Sequence, residues 1–112
     1  MSTLAPEDNK LVVLAKATRA RTGAAEGAAL RDLDGRTYAG ATVDLPSLQV
    51  SAVGVVVAMA VASGAKGAEA VVVLTEGELR EADLAAVRDL AGAGTPVLRG
   101  DAAGSVTDTR RT

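Results

Sequence analysis

The chain has 112 residues, 48% of them apolar, with 12 basic and 14 acidic side chains and a formal net charge of −2. That length suits one domain, and the near-balanced charge, with Tyr38 as the only aromatic, leaves neither the electrostatic footprint nor the stacking platforms of a nucleic-acid binder. With no Cys and no His there is no disulfide and no soft ligand for zinc, copper or iron, so only carboxylates, carbonyls and water remain as metal donors.

The first predicted element is a helix over residues 6–22. Pro6 suits the first helical position, and Glu7 and Asp8 sit at the positive end of the dipole. Leu11, Leu14, Ala15 and Thr18 recur at helical spacing, and Gly23 can take the left-handed conformation that ends a helix. Glu26 to Leu33 and Arg36 to Val43 then read as strands on either side of Asp34-Gly35, the signature of a two-residue type I′ hairpin turn. Asp32 and Asp34, one residue apart, read as part of that turn.

Pro46 breaks the chain, and Ser47 is a candidate cap for a helix over 48–63 that Gly64 ends. Within it no polar residue interrupts Ala52 to Ala62, which predicts a helix buried on all sides. Glu69 to Leu74 reads as a central strand covered on both faces. Glu78 to Ala91 reads as an amphipathic helix with Leu79, Leu84, Val87 and Leu90 inward, and Thr95 to Arg99 as a last short strand. The domain is expected to span 1–100, followed by a polar, flexible tail over 101–112 in which "SVTDT" can pair on a sheet edge. The order α-β-β-α-β-α-β predicts an α/β fold, a three-layer α-β-α sandwich around a mixed sheet of four to five strands.

The opening residues lack the basic, apolar pattern of a signal peptide, so none is expected, and the apolar run Val55 to Ala62 is far shorter than the roughly 20 residues of a membrane span. The expectation is a cytoplasmic protein without membrane or nucleic-acid partners. The small side chains of the core, and an apolar helix that one small sheet cannot cover, predict a homo-oligomer, a dimer or tetramer.

Two segments carry a resemblance. In "EGAALRDLDGRTYAGATVD", Gly27, Ala28, Ala29, Leu30, Asp34, Gly35, Tyr38, Gly40 and Val43 match a pattern of the cytidine deaminase family. In "SAVGVVVAMAVASG", Ala52, Ala60, Val61 and Gly64 fall at that family's spacing. Most of the chain resembles the family in this order. The resemblance implies a cytidine deaminase-like fold, a zinc held by a Cys or His at the start of this helix and two Cys at the start of the next, and a glutamate that moves protons. Ser51 stands at the first ligand position and Val53 at the glutamate position. "ELREADLAA" replaces the segment that brings the two Cys. Thr42 and Asp44 stand where an Asn and a Glu hold the nucleoside sugar, so both are candidate substrate-binding residues.

Magnitudes weigh against catalysis. Zinc lowers the pKa of bound water from about 15.7 to about 7, roughly 12 kcal/mol of nucleophile activation, and the glutamate adds about 10²–10⁴ in rate. The expected function is therefore a catalytically inactive, zinc-free cytidine deaminase-like protein with a structural, regulatory or protein-association role and no cofactor. The alternatives are a deaminase-family enzyme and a sensor that still binds nucleosides. Ser51 as a nucleophile needs a base, and without His only a lysine such as Lys10, Lys16 or Lys66 is available. Otherwise it is a small helix residue bonded to backbone or water. Glu76, Glu78, Glu81 and Asp83 read as a solvated helix start rather than a cation site. "GAKG" at 64–67 lacks the phosphate-loop pattern.

Overall fold

The first helix, α1 (Pro6–Thr22), has the predicted bounds, and Gly23 closes it with φ of 65°. The computed structural model describes residues 4–112. Leu11, Val12, Ala15 and Thr18 form the buried face of α1. The strands β1 (Gly27–Asp32), β2 (Thr37–Ala41), β5 (Ala68–Leu74), β6 (Pro96–Gly100) and β7 (Val106–Arg111) build one five-stranded sheet in the order β2-β1-β5-β6-β7. β5 and β6 run parallel and the other neighbours antiparallel. A separate two-stranded hairpin pairs β3 (Val43–Leu45) with β4 (Leu48–Val50). The remaining helices are α2 (Ala52–Ala62) and α3 (Glu81–Ala91).

The sheet separates two cores. On one face Leu11 and Ala15 of α1 meet Ala29, Val72, Leu74 and Leu98. On the other, Val53 and Val56 of α2 and Leu84 and Val87 of α3 meet Leu30, Val71 and Val97. Alternate residues of β5 therefore serve opposite layers, as a central strand requires. This is the expected three-layer α-β-α sandwich with a mixed sheet. Close approach between layers explains two of the motif glycines. A Cβ on Gly27 would collide with the Ala15 carbonyl oxygen of α1, and one on Gly40 would lie 2.7 Å from a Val55 methyl of α2.

Four local expectations are corrected. The turn at Asp34-Gly35 is not type I′: Gly35 has φ of 83°, but no non-glycine among the described residues has positive φ. Asp32 fastens a longer loop instead. Its Oδ1 accepts from the backbone amides of Asp34 and Arg36 at 2.9 Å each. Its Oδ2 accepts from Arg36 Nε at 3.0 Å and the Tyr38 hydroxyl at 2.8 Å. Burial opposes ionisation of Asp32, but these hydrogen bonds and the Arg36 charge outweigh it and hold its carboxyl below the ordinary range. The Tyr38 phenol is raised, first by its bond to Asp32 and then by burial.

The second correction concerns the predicted 48–63 helix, which begins only at Ala52. Leu48–Val50 pairs with Val43–Leu45, and Ser51 rather than Ser47 is the cap. Nor is α2 buried on all sides: Met59 is 38% and Val61 57% exposed in the single chain. Third, α3 begins at Glu81 rather than Glu78, with the buried Leu79 ahead of it. Fourth, the segment after residue 100 is more than a loose tail: the edge pairing that "SVTDT" allowed extends into β7, which pairs along β6 from Pro96↔Arg111 to Gly100↔Val106. Val106, Thr107 and Thr109 supply the β-branched side chains that suit a strand there. Among the described residues, no helix is long and apolar enough to cross a membrane.

Candidate functional site

Polar groups from four elements converge on one cleft of about 360 Å³ at the N-termini of α2 and α3. Thr42, Asp44, Gln49, Ser51 and Arg80 line it. β2 and the β3–β4 hairpin bring Thr42, Asp44 and Gln49, and the two helix starts bring Ser51 and Arg80. Three of the four positions singled out by the resemblance, Thr42, Asp44 and Ser51, line this cleft. The fourth, Val53, is fully buried in the core beneath.

Ser51, Arg80 and Thr42 each have a definite partner. Ser51 is the N-cap of α2: its Oγ accepts from the Gly54 amide at 3.0 Å and donates to Asp83 Oδ1 at 2.7 Å. Asp83 lies in the first turn of α3 and is buried. Arg80 immediately precedes α3. Its guanidinium grips the Glu26 carboxylate, Nη1 to Oε2 at 3.0 Å and Nη2 to Oε1 at 2.9 Å. Arg80 Nε is also 3.9 Å from Asp83 Oδ2. Glu26 is itself buried at the entry to β1. Thr42 Oγ1 accepts from the Glu26 amide at 2.9 Å, so this candidate sugar-binding residue holds backbone. Asp44 is exposed at the cleft wall.

Three residues of the polar network beside the cleft were not singled out in the sequence: Glu26, Arg80 and Asp83. Asp83 was read as part of a solvated acidic helix start, and that reading is overturned by its burial and its bond to Ser51. The Arg80–Asp83 spacing of three residues, between the apolar Leu79 and Leu84, was the available signal. A lysine base for Ser51 finds no support, because the residues lining the cleft include no lysine. Lys10 lies instead along a larger groove of about 780 Å³ beside α1, and Lys66 beside α2 and α3. The larger groove offers Arg31, but that guanidinium is already bonded to Glu69 at 2.7 Å and Asp8 at 3.0 Å.

The zinc implied by the resemblance does not fit this site. Its donors at the two helix starts are one hydroxyl and one carboxylate, and they bond each other. A catalytic zinc takes three protein ligands of the Cys, His or carboxylate type plus a water. Among the described residues no group of three His, Cys, Asp or Glu is placed to hold a metal ion. The side chain at position 53 is an aliphatic group facing the core, which moves no proton.

Comparisons with known proteins agree with the fold. A family profile described as cytidine deaminase-like matches residues 4–104. The cytidine deaminase of Burkholderia pseudomallei is similar in structure, with a TM-score of 0.72 and 25% identity over 93% of this chain and 90% of that one. The cytidine deaminase of Mycobacterium leprae also gives a TM-score of 0.72, with 18% identity over 92% of this chain and 91% of that one. A mutant cytidine deaminase from Mycobacterium tuberculosis gives 0.71, with 22% identity over 83% of this chain and 82% of that one. No curated protein sequence matches the chain.

Proposed function

The chain belongs to the cytidine deaminase-like family, and from that premise we propose that it is a catalytically inactive, zinc-free member with a structural, regulatory or protein-association role. One observation carries this reading: the Ser51–Asp83 hydrogen bond joins the two helix starts that would supply the metal ligands. The roughly 12 kcal/mol that zinc contributes by activating water has no substitute in a serine hydroxyl that already donates to a carboxylate. The buried Val53 removes the proton carrier as well.

Assembly belongs to the same reading. Val57 and Val61, one turn apart on α2, leave an apolar patch partly open to solvent in the single chain, and a second copy covers it in a dimer or tetramer. A second reading, a sensor that binds nucleosides without turnover, draws on the exposed Asp44, which lines the cleft. The test is uridine formation from cytidine and deoxycytidine, with thermal shift against the same nucleosides. No uridine above a buffer blank is expected. A shift of several degrees without turnover would favour the sensor, and uridine production would overturn both readings.

A further inference from the structure

We infer that Ser51 and Asp83, backed by Arg80 and Glu26, form a metal-free clasp that joins the starts of α2 and α3 to the sheet at the point where the family holds its metal. This rests on the reading of the site as zinc-free and assigns a task to the residues that replaced the ligands.

The electrostatics favour such a clasp. Two helix N-termini meet here, and each carries a partial positive charge. Bringing them together without a counter-charge is unfavourable. Asp83 supplies it: its carboxylate lies in the first turn of α3 and touches the cap residue of α2. Ser51 serves both sides at once, accepting from Gly54 within α2 and donating to Asp83 of α3. Burial of Asp83 makes the bond matter more than a surface pair, because a buried carboxylate without a donor is costly.

Arg80 and Glu26 extend the connection. Arg80 makes no side-chain cap for α3, and its guanidinium turns to Glu26 in a paired contact. Glu26 is held in turn by Thr42, whose amide donates to the Glu26 carbonyl at 3.1 Å while its hydroxyl accepts from the Glu26 amide. Segments around residues 26, 42, 51 and 80–83 are thus fastened through side chains, although they are far apart in sequence. A zinc ligated from both helices would make a comparable cross-connection. Here it is made by hydrogen bonds, and its strength does not depend on metal.

The experiment is a double-mutant cycle on the full chain with Ser51→Ala, Asp83→Ala and both together, read by urea denaturation with and without a chelator. Each single change is expected to raise the unfolding equilibrium constant about tenfold or more, as for a hydrogen bond to a charged group. The double variant should fall short of the product of the singles by at least about fivefold, and the chelator should move no midpoint. Ser51→Thr keeps the hydroxyl and should retain most of the parental midpoint, a comparison that survives if Ser51→Ala does not fold. A double variant equal to the product of the singles, or a Thr variant as weak as the Ala variant, overturns the clasp while leaving the proposed inactivity standing. A parental midpoint lowered by chelator, with zinc recovered from the protein, overturns the inactivity as well.

Discussion

Restoring family residues should damage this protein rather than awaken it. In the variant Ser51→Cys with Val53→Glu, the first change removes the hydroxyl that donates to Asp83 at 2.7 Å. A thiol is a weaker donor on a longer bond, and the buried carboxylate loses roughly 1–3 kcal/mol of satisfaction. The second change places a carboxylate where Val53 is fully buried, against a core that includes Leu30, Val56 and Val71. Overpacking there costs about 1–3 kcal/mol, and burying the group costs several more unless it takes up a proton. The dipole of α2 returns at most about 1 kcal/mol to a carboxylate in its first turn. A net loss of roughly 3–7 kcal/mol follows, a large share of the ~5–15 kcal/mol typical of a domain. Metal does not offset it, because one thiolate and Asp83 leave the ligand set one short. The assay is urea denaturation followed by far-ultraviolet circular dichroism, with uridine formation on the same preparation. A midpoint equal to the parent, together with measurable turnover, would refute the reasoning and point to ligands from another part of the chain.

Gly27→Ala should lower stability by about 1–3 kcal/mol in urea, since the new Cβ meets the Ala15 backbone of α1 and cannot be relieved by a rotamer change. Gly77→Ala, whose Cβ would meet only Thr75 Oγ1 at 3.7 Å, is the control and should be near neutral. Asp32 has a depressed carboxyl pKa in the folded chain, so its contribution is present above the unfolded value of about 3.9 and is lost as pH falls through the folded one. Asp32→Asn should therefore lower the urea midpoint at neutral pH and flatten its decline below about pH 4; an unchanged acid profile would contradict the cage of donors around Asp32. Light scattering should give a dimer or tetramer at micromolar concentration, and Val57→Lys should reduce that mass. A parental monomer would remove the assembly argument.

Local chemistry made much of this fold legible. Pro6, the acidic first turn and Gly23 bracket α1 at both ends, and the short continuous apolar run up to Leu74 was enough to read β5 as a central strand. What failed depended on distant contacts. Leu48–Val50 joins an apolar run whose composition suits helix or strand, and only pairing with Val43–Leu45 decides for strand. For Val106–Arg111 the sequence allowed only a short edge pairing at "SVTDT", and the edge that β6 leaves extends it to a strand of six residues. The hairpin turn was located but misassigned, because the Asp32 side chain, not the backbone preference of Asp34-Gly35, sets its geometry. In the site, resemblance located Ser51, Thr42 and Asp44 without showing what they bond. An aspartate in the first turn of a helix reads the same whether solvated or buried. Asp83 is buried because Ser51, 32 residues earlier, is folded against it.

The zinc content of the purified chain tests the central claim most directly. After equilibration with a small molar excess of zinc and removal of unbound metal by gel filtration, elemental analysis should find far less than one zinc per chain, because the Ser51–Asp83 pair and the buried Val53 offer no three-ligand site. One zinc retained per chain, lost again in Asp83→Ala, would contradict the account.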